Sequence, residues 1–109
     1  MKTGKVVPIS RKPPSRNELA KRIRKLVKEG AFSYGTVVFS FQGVDLSDAL
    51  EVLTAGTIEG EITLGVIAGE WKCKMVGAVD NSSRRLGVVA VIVRDVHLLL
   101  TAVGWEDPR

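Results

Sequence analysis

An unbroken apolar run near the C-terminus constrains the fold of this chain more than any other stretch. Residues 86–93 read Leu-Gly-Val-Val-Ala-Val-Ile-Val, with no alternation of polar and apolar side chains. Two further apolar runs of strand length, 71–76 and 97–103, lie on either side of it across short polar breaks. Three such runs predict an antiparallel meander. A middle strand without alternation should be buried on both faces, so the sheet needs apolar cover.

Two amphipathic patterns upstream can supply that cover. The first is predicted to begin after Ser15, which forms a capping box with Glu18, and to end at the C′ glycine Gly30. The second is predicted to begin after an N-cap at Asp45 and to end at Gly56. The expected buried stripes are Leu19, Ile23, Leu26 and Val27 in the first helix, and Leu46, Ala49, Leu50 and Leu53 in the second.

The remaining elements are predicted as strands and turns. Residues 36–41 form either a strand or an extended segment, and residues 57–63 form a strand with a break or bulge at Gly60. Residues 80–83 are predicted to form a hairpin loop, and Arg94-Asp95 a turn. Residues 105–109 are expected to lie beyond the last strand.

These elements predict an α+β fold, with two N-terminal helices packed on a mostly antiparallel sheet of four to five strands. The 109 residues suit one domain, assigned to 15–105, after a basic proline-containing arm at 1–14 and before a tail at 106–109. No apolar run reaches the roughly 18 residues that span a bilayer, and no apolar segment of a signal peptide follows the basic N-terminus. We therefore expect a cytoplasmic protein with no membrane association.

The single cysteine and the single histidine limit which kinds of catalytic or metal site this chain can form. Cys73 alone excludes an intrachain disulfide and a cysteine-rich zinc site, and its apolar neighbours favour a buried, inert thiol over a nucleophile. His97 alone cannot build a histidine-rich metal site, and its place at the start of an apolar strand favours a structural role. No phosphate-binding loop or dinucleotide-binding glycine pattern is present, so we expect neither a metal nor a cofactor.

The net charge of +4 conceals an asymmetry. Residues 1–30 hold ten lysines and arginines and two acids, whereas residues 31–109 hold six basic and ten acidic residues. A basic arm on a mildly acidic body indicates an anionic partner, either nucleic acid or an acidic protein. The alternative is a solvated helix face with a soluble tail.

A second basic group is predicted on the sheet. The period of two in residues 71–75 places Lys72 and Lys74 on one face, opposite Trp71, Cys73 and Met75. Arg84 and Arg85 flank the hairpin loop that follows the same strand. Lys and Arg on one sheet face can hold phosphates and can stabilise the charge of a phosphoryl-transfer transition state. The alternative is ordinary surface charge.

Two longer stretches resemble a known family. They are residues 37–61, reading VVFSFQG then VDLSDALEVLTAGTIEGE, and a later set formed by Gly69, Trp71, Val76, Gly77 and residues 99–103. These residues resemble a bacterial domain-of-unknown-function family of small proteins, grouped with RelE-like and MqsR-like toxins of toxin–antitoxin pairs, over about residues 18–105. The family typically shows an F-S-x-H-A element, and its histidine is replaced here by Phe41 or Gln42.

The resemblance implies helices on an antiparallel sheet and a metal-independent endoribonuclease, ribosome-dependent or free, that a protein antitoxin neutralises. On that hypothesis a base activates the ribose 2′-OH, cations stabilise the phosphorane and an acid protonates the leaving oxygen. The candidates are Lys72, Lys74, Arg85 and His97 for catalysis, with Glu70 as a further proton-transfer group, and Arg84, Lys21, Arg22 and Lys25 for RNA binding.

The missing family histidine motivates a second hypothesis. A module of this fold without catalytic activity would bind RNA or an acidic protein through its basic arm and first helix. A third hypothesis is a homodimer that pairs through an exposed sheet edge.

Overall fold

The computed structural model describes residues 13–34, 44–65, 69–79 and 84–106. A single sheet holds five strands in the order β1-β5-β4-β3-β2. Strand β1 runs parallel to β5, and the other neighbouring pairs are antiparallel. The predicted α+β class is confirmed. In chain order the elements are α1 (Arg16–Glu29), β1 (Phe32–Tyr34), α2 (Leu46–Ala55), β2 (Thr57–Leu64), β3 (Glu70–Ala78), β4 (Arg85–Val93) and β5 (His97–Glu106).

The prediction of two helices ahead of the whole sheet is wrong, because β1 lies between them. Gly30 adopts a left-handed conformation with φ of 74° and turns the chain out of α1. The carbonyl of Ala31 then accepts a hydrogen bond of 2.9 Å from the Leu98 amide, which places the next residues beside β5. The strand or extended segment expected at residues 36–41 lies outside the described residues.

The local signals for the helices are largely confirmed. The Ser15 hydroxyl accepts a hydrogen bond of 3.1 Å from the Glu18 amide, and Gly30 closes α1 with bonds to the last-turn carbonyls. Asp45 occupies the N-cap of α2 but makes no side-chain capping bond. The buried residues of α1 are Leu19, Ala20, Ile23 and Leu26, and those of α2 are Ala49, Val52 and Leu53, of which Ala20 and Val52 were not expected.

Both helices pack on the same face of the sheet, which we call the helix face. Their buried residues form one apolar cluster with alternate residues of the central strands. The strand members are Ile58, Cys73, Met75, Leu86, Val88, Ala90, Ile92, Leu98, Leu100 and Val103. The residues between them point to the opposite side, which we call the open face. Val76 and Val91 lie there, 1% and 8% exposed, and neither belongs to the helix-face cluster.

Two irregularities set which side chains reach the open face. The pairing of β2 with β3 shifts between Glu59 and Thr63, around Gly60, which has a φ of 78° and confirms the predicted bulge. A second shift in β5 leaves Thr101 unpaired, since Val89 pairs with Ala102 and Ala90 with Leu100. Strand β5 continues through Glu106, so Trp105 and Glu106 belong to the sheet and not to a frayed tail.

The turn expected at Arg94-Asp95 is confirmed. Both residues have positive φ, 52° and 61°, as in the tight turns that match the twist of a β-hairpin. The loop expected at residues 80–83 lies outside the described residues. Within the described ranges, no helix is long and apolar enough to cross a membrane.

Candidate functional site

The open face gathers three of the four sheet cations that the sequence singled out. Lys72 and Lys74 of β3 lie opposite Val91 and Val89 of β4, and Arg85 begins β4 on the same side. Arg84 does not join them. Its guanidinium carbon lies 4.0 Å from the centroid of the Trp105 ring, a cation–π contact on the helix-face side.

Two ion pairs cross the open face. The Lys74 Nζ lies 2.9 Å from a Glu106 carboxylate oxygen, and a guanidinium nitrogen of Arg85 lies 2.8 Å from a carboxylate oxygen of Glu59. The first pair passes from β3 to β5 over Gly87, where an added Cβ would lie 2.7 Å from the Glu106 oxygen. The second passes from β4 to β2 over β3. We call these two contacts the cross-strand ion pairs. They cover one end of the open face, where Val76 is only 1% exposed.

The open face therefore carries no net positive charge in its described part. Lys72, Lys74 and Arg85 are matched by three acids on the same face, Glu59, Glu70 and Glu106. Phosphate binding depends on cations that neutralise phosphate charge and release its counterions. Two of these three cations, Lys74 and Arg85, already contact carboxylates, which weakens the electrostatic argument for the cradle expected from Lys72, Lys74 and the two arginines.

The other end of the open face holds a groove of about 460 Å³. Val91 and Leu99 give it apolar walls, and Leu99 is 39% exposed. Lys72 and Glu70 are the catalytic candidates from the sequence that occur among its described lining residues. The groove is lined by Leu64, Gly65, Glu70, Lys72, Val91, Leu99 and Thr101.

His97 lies at the strand start where it was expected, and it is tied to a neighbouring strand. Its Nε2 lies 2.7 Å from the Ser33 hydroxyl, a hydrogen bond between β5 and β1. In the sheet register His97 lies opposite Val93, whereas Lys72 lies opposite Val91 on the far side of β4. The Cα atoms of His97 and Lys72 are thus roughly 12 Å apart by strand geometry.

Cys73 is buried on the helix face, as predicted. Burial away from water raises the pKa of its thiol to about 11. A neutral thiol is a poor nucleophile, so this environment favours the structural role. No group of three or more potential metal ligands occurs among residues that the structure describes.

The remaining predicted cations lie on α1. Arg22 donates to Glu18 at 3.1 Å and to Asp95 at 3.0 Å, so its charge is matched within the fold. Lys21 and Lys25 are exposed and, among the described residues, make no ion pair. They share one side of the helix with two further exposed cations. This basic stripe, spaced i, i+3, i+4 and i+7, consists of Lys21, Arg24, Lys25 and Lys28.

Sequence reasoning missed the acids that neutralise the open face and the serine that holds His97. Glu106 lies in the segment predicted as a tail, and no local signal marks Glu59 as a partner of Arg85. Ser33 and His97 are 64 residues apart in sequence, and nothing in either local pattern indicates the contact. Only the register of the assembled sheet brings these groups together.

Comparison with known proteins gives no match to a family model, to a curated protein or to a solved structure.

Proposed function

We propose that this protein is a non-catalytic RNA-binding module that contacts RNA through the basic stripe of α1. The observation that carries the proposal is the contrast in charge pairing. Lys74 and Arg85 on the open face contact carboxylates, whereas Lys21, Lys25 and Lys28 on α1 have no ion-pair partner in the described part of the chain. Unmatched cations are the ones that gain free energy by neutralising phosphates.

The geometry of the stripe suits a charged backbone. Lys21 and Lys28 are seven residues apart, which corresponds to about 10 Å along a helix. Arg24 lies between them and uses its Nε to donate to the Thr54 carbonyl at 2.9 Å, which holds its side chain against α2. The preceding residues 1–12 add four lysines and arginines and no acid. The phosphates of a nucleic acid are all negative, so such a partner is attracted to this whole basic segment.

RNA fits this surface better than an acidic protein does. The exposed residues of α1 are all polar or charged: Arg16, Asn17, Glu18, Lys21, Arg24, Lys25, Lys28 and Glu29. Protein interfaces depend on buried aromatic or aliphatic anchors at their centre, and α1 exposes none. Its surface matches a partner recognised by charge alone.

The proposal also includes a relationship to RelE-like toxins and a protein antitoxin as a partner. Two helices against a mostly antiparallel sheet are compatible with the fold that the resemblance implies. The replacement of the family histidine by Phe41 or Gln42 and the neutral open face support a chain that has this fold without its chemistry. An antitoxin, on this view, would compete with RNA for the protein.

An endoribonuclease is the second candidate, favoured by the placement of Lys72 and His97 on one sheet face. Both side chains could reach a phosphate bound over β4. Cleavage of RNA in the presence of a chelator, and its loss in Lys72→Ala and His97→Ala, would support this activity. Growth arrest on expression in bacteria, relieved by the same substitutions, would support it in cells.

Binding of a labelled single-stranded RNA, followed by fluorescence anisotropy at several salt concentrations, tests the main proposal. The triple variant Lys21→Gln, Lys25→Gln, Lys28→Gln should lower the slope of log K against log salt by about 2, since each phosphate contact contributes about 0.7. The matched control is Lys72→Gln, Lys74→Gln, Arg85→Gln, which removes the same charge from the open face. The proposal fails if both variants lose affinity equally, or if the unaltered protein does not bind at low salt.

A further inference from the structure

We propose that the cleft between α1 and the β4–β5 turn binds one unpaired guanine base of RNA. This inference rests on the proposed RNA binding by α1 and adds to it a way of reading sequence. The cleft has a volume of about 370 Å³. Four residues of α1 form one side of it, and two residues at the turn form the other. The lining residues are Arg22, Lys25, Leu26, Glu29, Asp95 and Val96.

The cleft directly borders the basic stripe. Lys25 is both a member of the stripe and a lining residue of the cleft. An RNA strand whose phosphates lie along the stripe therefore passes the mouth of the cleft. Phosphate contacts fix the position of an RNA strand without reading its sequence, whereas contacts to the edge of an unpaired base do read it.

The walls of the cleft are held in place by contacts within the fold. Arg22 donates to Glu18 at 3.1 Å and to Asp95 at 3.0 Å, so its planar guanidinium is fixed from two sides. On the other wall, the Val96 amide donates to the Val93 carbonyl at 3.0 Å and closes the turn, and the Val96 side chain is 66% exposed. Bases stack on guanidinium planes, and the exposed valine adds apolar contact area.

The polar groups of the cleft match the hydrogen-bonding edge of guanine. Lys25 and Glu29 are four residues apart on α1, so their side chains are neighbours on the helix surface. The Lys25 ammonium can only donate, and the Glu29 carboxylate can only accept. Neither makes an ion pair within the described ranges. Among the four RNA bases, only guanine presents an acceptor, O6, beside two donors, N1–H and the N2 amino group.

A neutral base fits this cleft better than a phosphate or a charged peptide side chain does. The two cations and two acids that line it cancel, so net charge attracts neither an anion nor a cation. A carboxylate also repels phosphate, whereas it accepts hydrogen bonds from the donors of a base. Adenine, cytosine and uracil each present an acceptor where guanine has N1–H or the N2 amino group, and that acceptor would face the Glu29 carboxylate.

Fluorescence anisotropy with matched single-stranded RNA probes tests the guanine site. The probes are an oligouridine of about eight nucleotides and the same oligomer with one central guanosine, adenosine, cytidine or inosine. The guanosine probe should bind the unaltered protein about tenfold more tightly than oligouridine, as one good bidentate contact to a base allows. Inosine lacks the N2 amino group and should lose most of this gain.

Three variants test which side chains read the base. Glu29→Gln should bring the affinity for the guanosine probe down to that for oligouridine, because an amide offers one acceptor where the carboxylate offers two. Glu51→Gln makes the same change at an exposed acid of α2 and should keep the guanosine preference. Arg22→Lys retains the charge without the plane and should lower the ratio of the two affinities about threefold.

The outcomes separate this inference from the proposed function. Binding that depends on the lysines of the stripe but is equal for all five probes would overturn the guanine site and leave the RNA-binding module. A guanosine preference that persists in Glu29→Gln, or that is lost in Glu51→Gln, would also overturn the site. Failure of every probe to bind at low salt would overturn both proposals.

Discussion

The two faces of the sheet are shielded from water in different ways. On the helix face, α1 and α2 cover an apolar cluster in which Met75, Leu86 and Val88 are fully buried. On the open face, Val76 is 1% exposed under side chains that reach across from Lys74, Glu106, Arg85 and Glu59. Apolar side chains of the two helices cover one face, and the stems of long charged side chains cover part of the other.

This difference predicts how each face responds to substitution. A face packed against two helices cannot adjust locally, because close-packed interiors transmit strain. A face covered by the ends of flexible side chains can adjust by rotating them away. The helix face should therefore hold most of the folding free energy, and the open face should tolerate changes that leave its surface free for other uses.

The largest expected difference in stability is between alanine substitutions at two glycines, Gly56 and Gly87. An added Cβ at Gly56 would lie 2.6 Å from the Val52 carbonyl oxygen and 2.7 Å from that of Val76, both of them backbone atoms. Gly56→Ala should lower the free energy of unfolding by about 3 kcal/mol, because the end of α2 must move off the sheet. Urea denaturation followed by circular dichroism measures the change.

Gly87→Ala is the control on the open face. Its Cβ would lie 2.7 Å from the Glu106 carboxylate and 2.9 Å from Lys74 Cε, and both are side-chain ends that can rotate. The lost ion pair should be offset by the gain of about 0.5–1 kcal/mol that alanine has over glycine in a strand, so the net change should be near zero. Equal losses in the two variants would show that the two faces are equally rigid.

The helix face could be predicted from sequence further than the open face. The capping signals of Ser15 and Gly30 and the alternation around Cys73 act over a few residues, so they can be read locally. The position of Glu106 depends on the unpaired Thr101, because a one-residue bulge moves all later side chains of β5 to the other face. The sequence does not mark that bulge, and so the ion pair with Lys74 could not be foreseen.

Strand β1 escaped prediction for a related reason. Residues 32–34 form only three residues of strand, and their pairing is with β5, more than sixty residues away. The neighbouring residues 36–41 carry a stronger β-branched and aromatic signal, so the sequence predicts a strand there and gives no comparable signal for 32–34. The contact between Ser33 and His97 depends on that pairing, so it could not be predicted either.

The free energy of unfolding at alkaline pH should test whether water reaches the helix face. The Cys73 pKa is raised by burial from 9.0 to about 11, so the folded state keeps a proton that the unfolded state loses. This contribution to stability is present below pH 9 and is lost as pH rises towards 11. The free energy of unfolding should fall by about 2 kcal/mol over that window.

The matched control for this pH effect is Cys73→Ala, which removes the thiol. Other groups also titrate above pH 9, and they do so equally in both proteins. The prediction is therefore that the pH slope of the unaltered protein exceeds that of the variant. Identical slopes, or rapid reaction of the folded thiol with a thiol reagent at neutral pH, would show that water reaches Cys73.

The smallest expected effect belongs to the ion pair between Lys74 and Glu106. Their side chains are 41% and 33% exposed, so solvent screens the attraction. A double-mutant cycle with Lys74→Met and Glu106→Gln should give a coupling energy of about 0.5 kcal/mol, which added salt reduces. A coupling above about 2 kcal/mol would mean that the pair is desolvated. The open face would then be sealed like the helix face, and the contrast between the two faces would disappear.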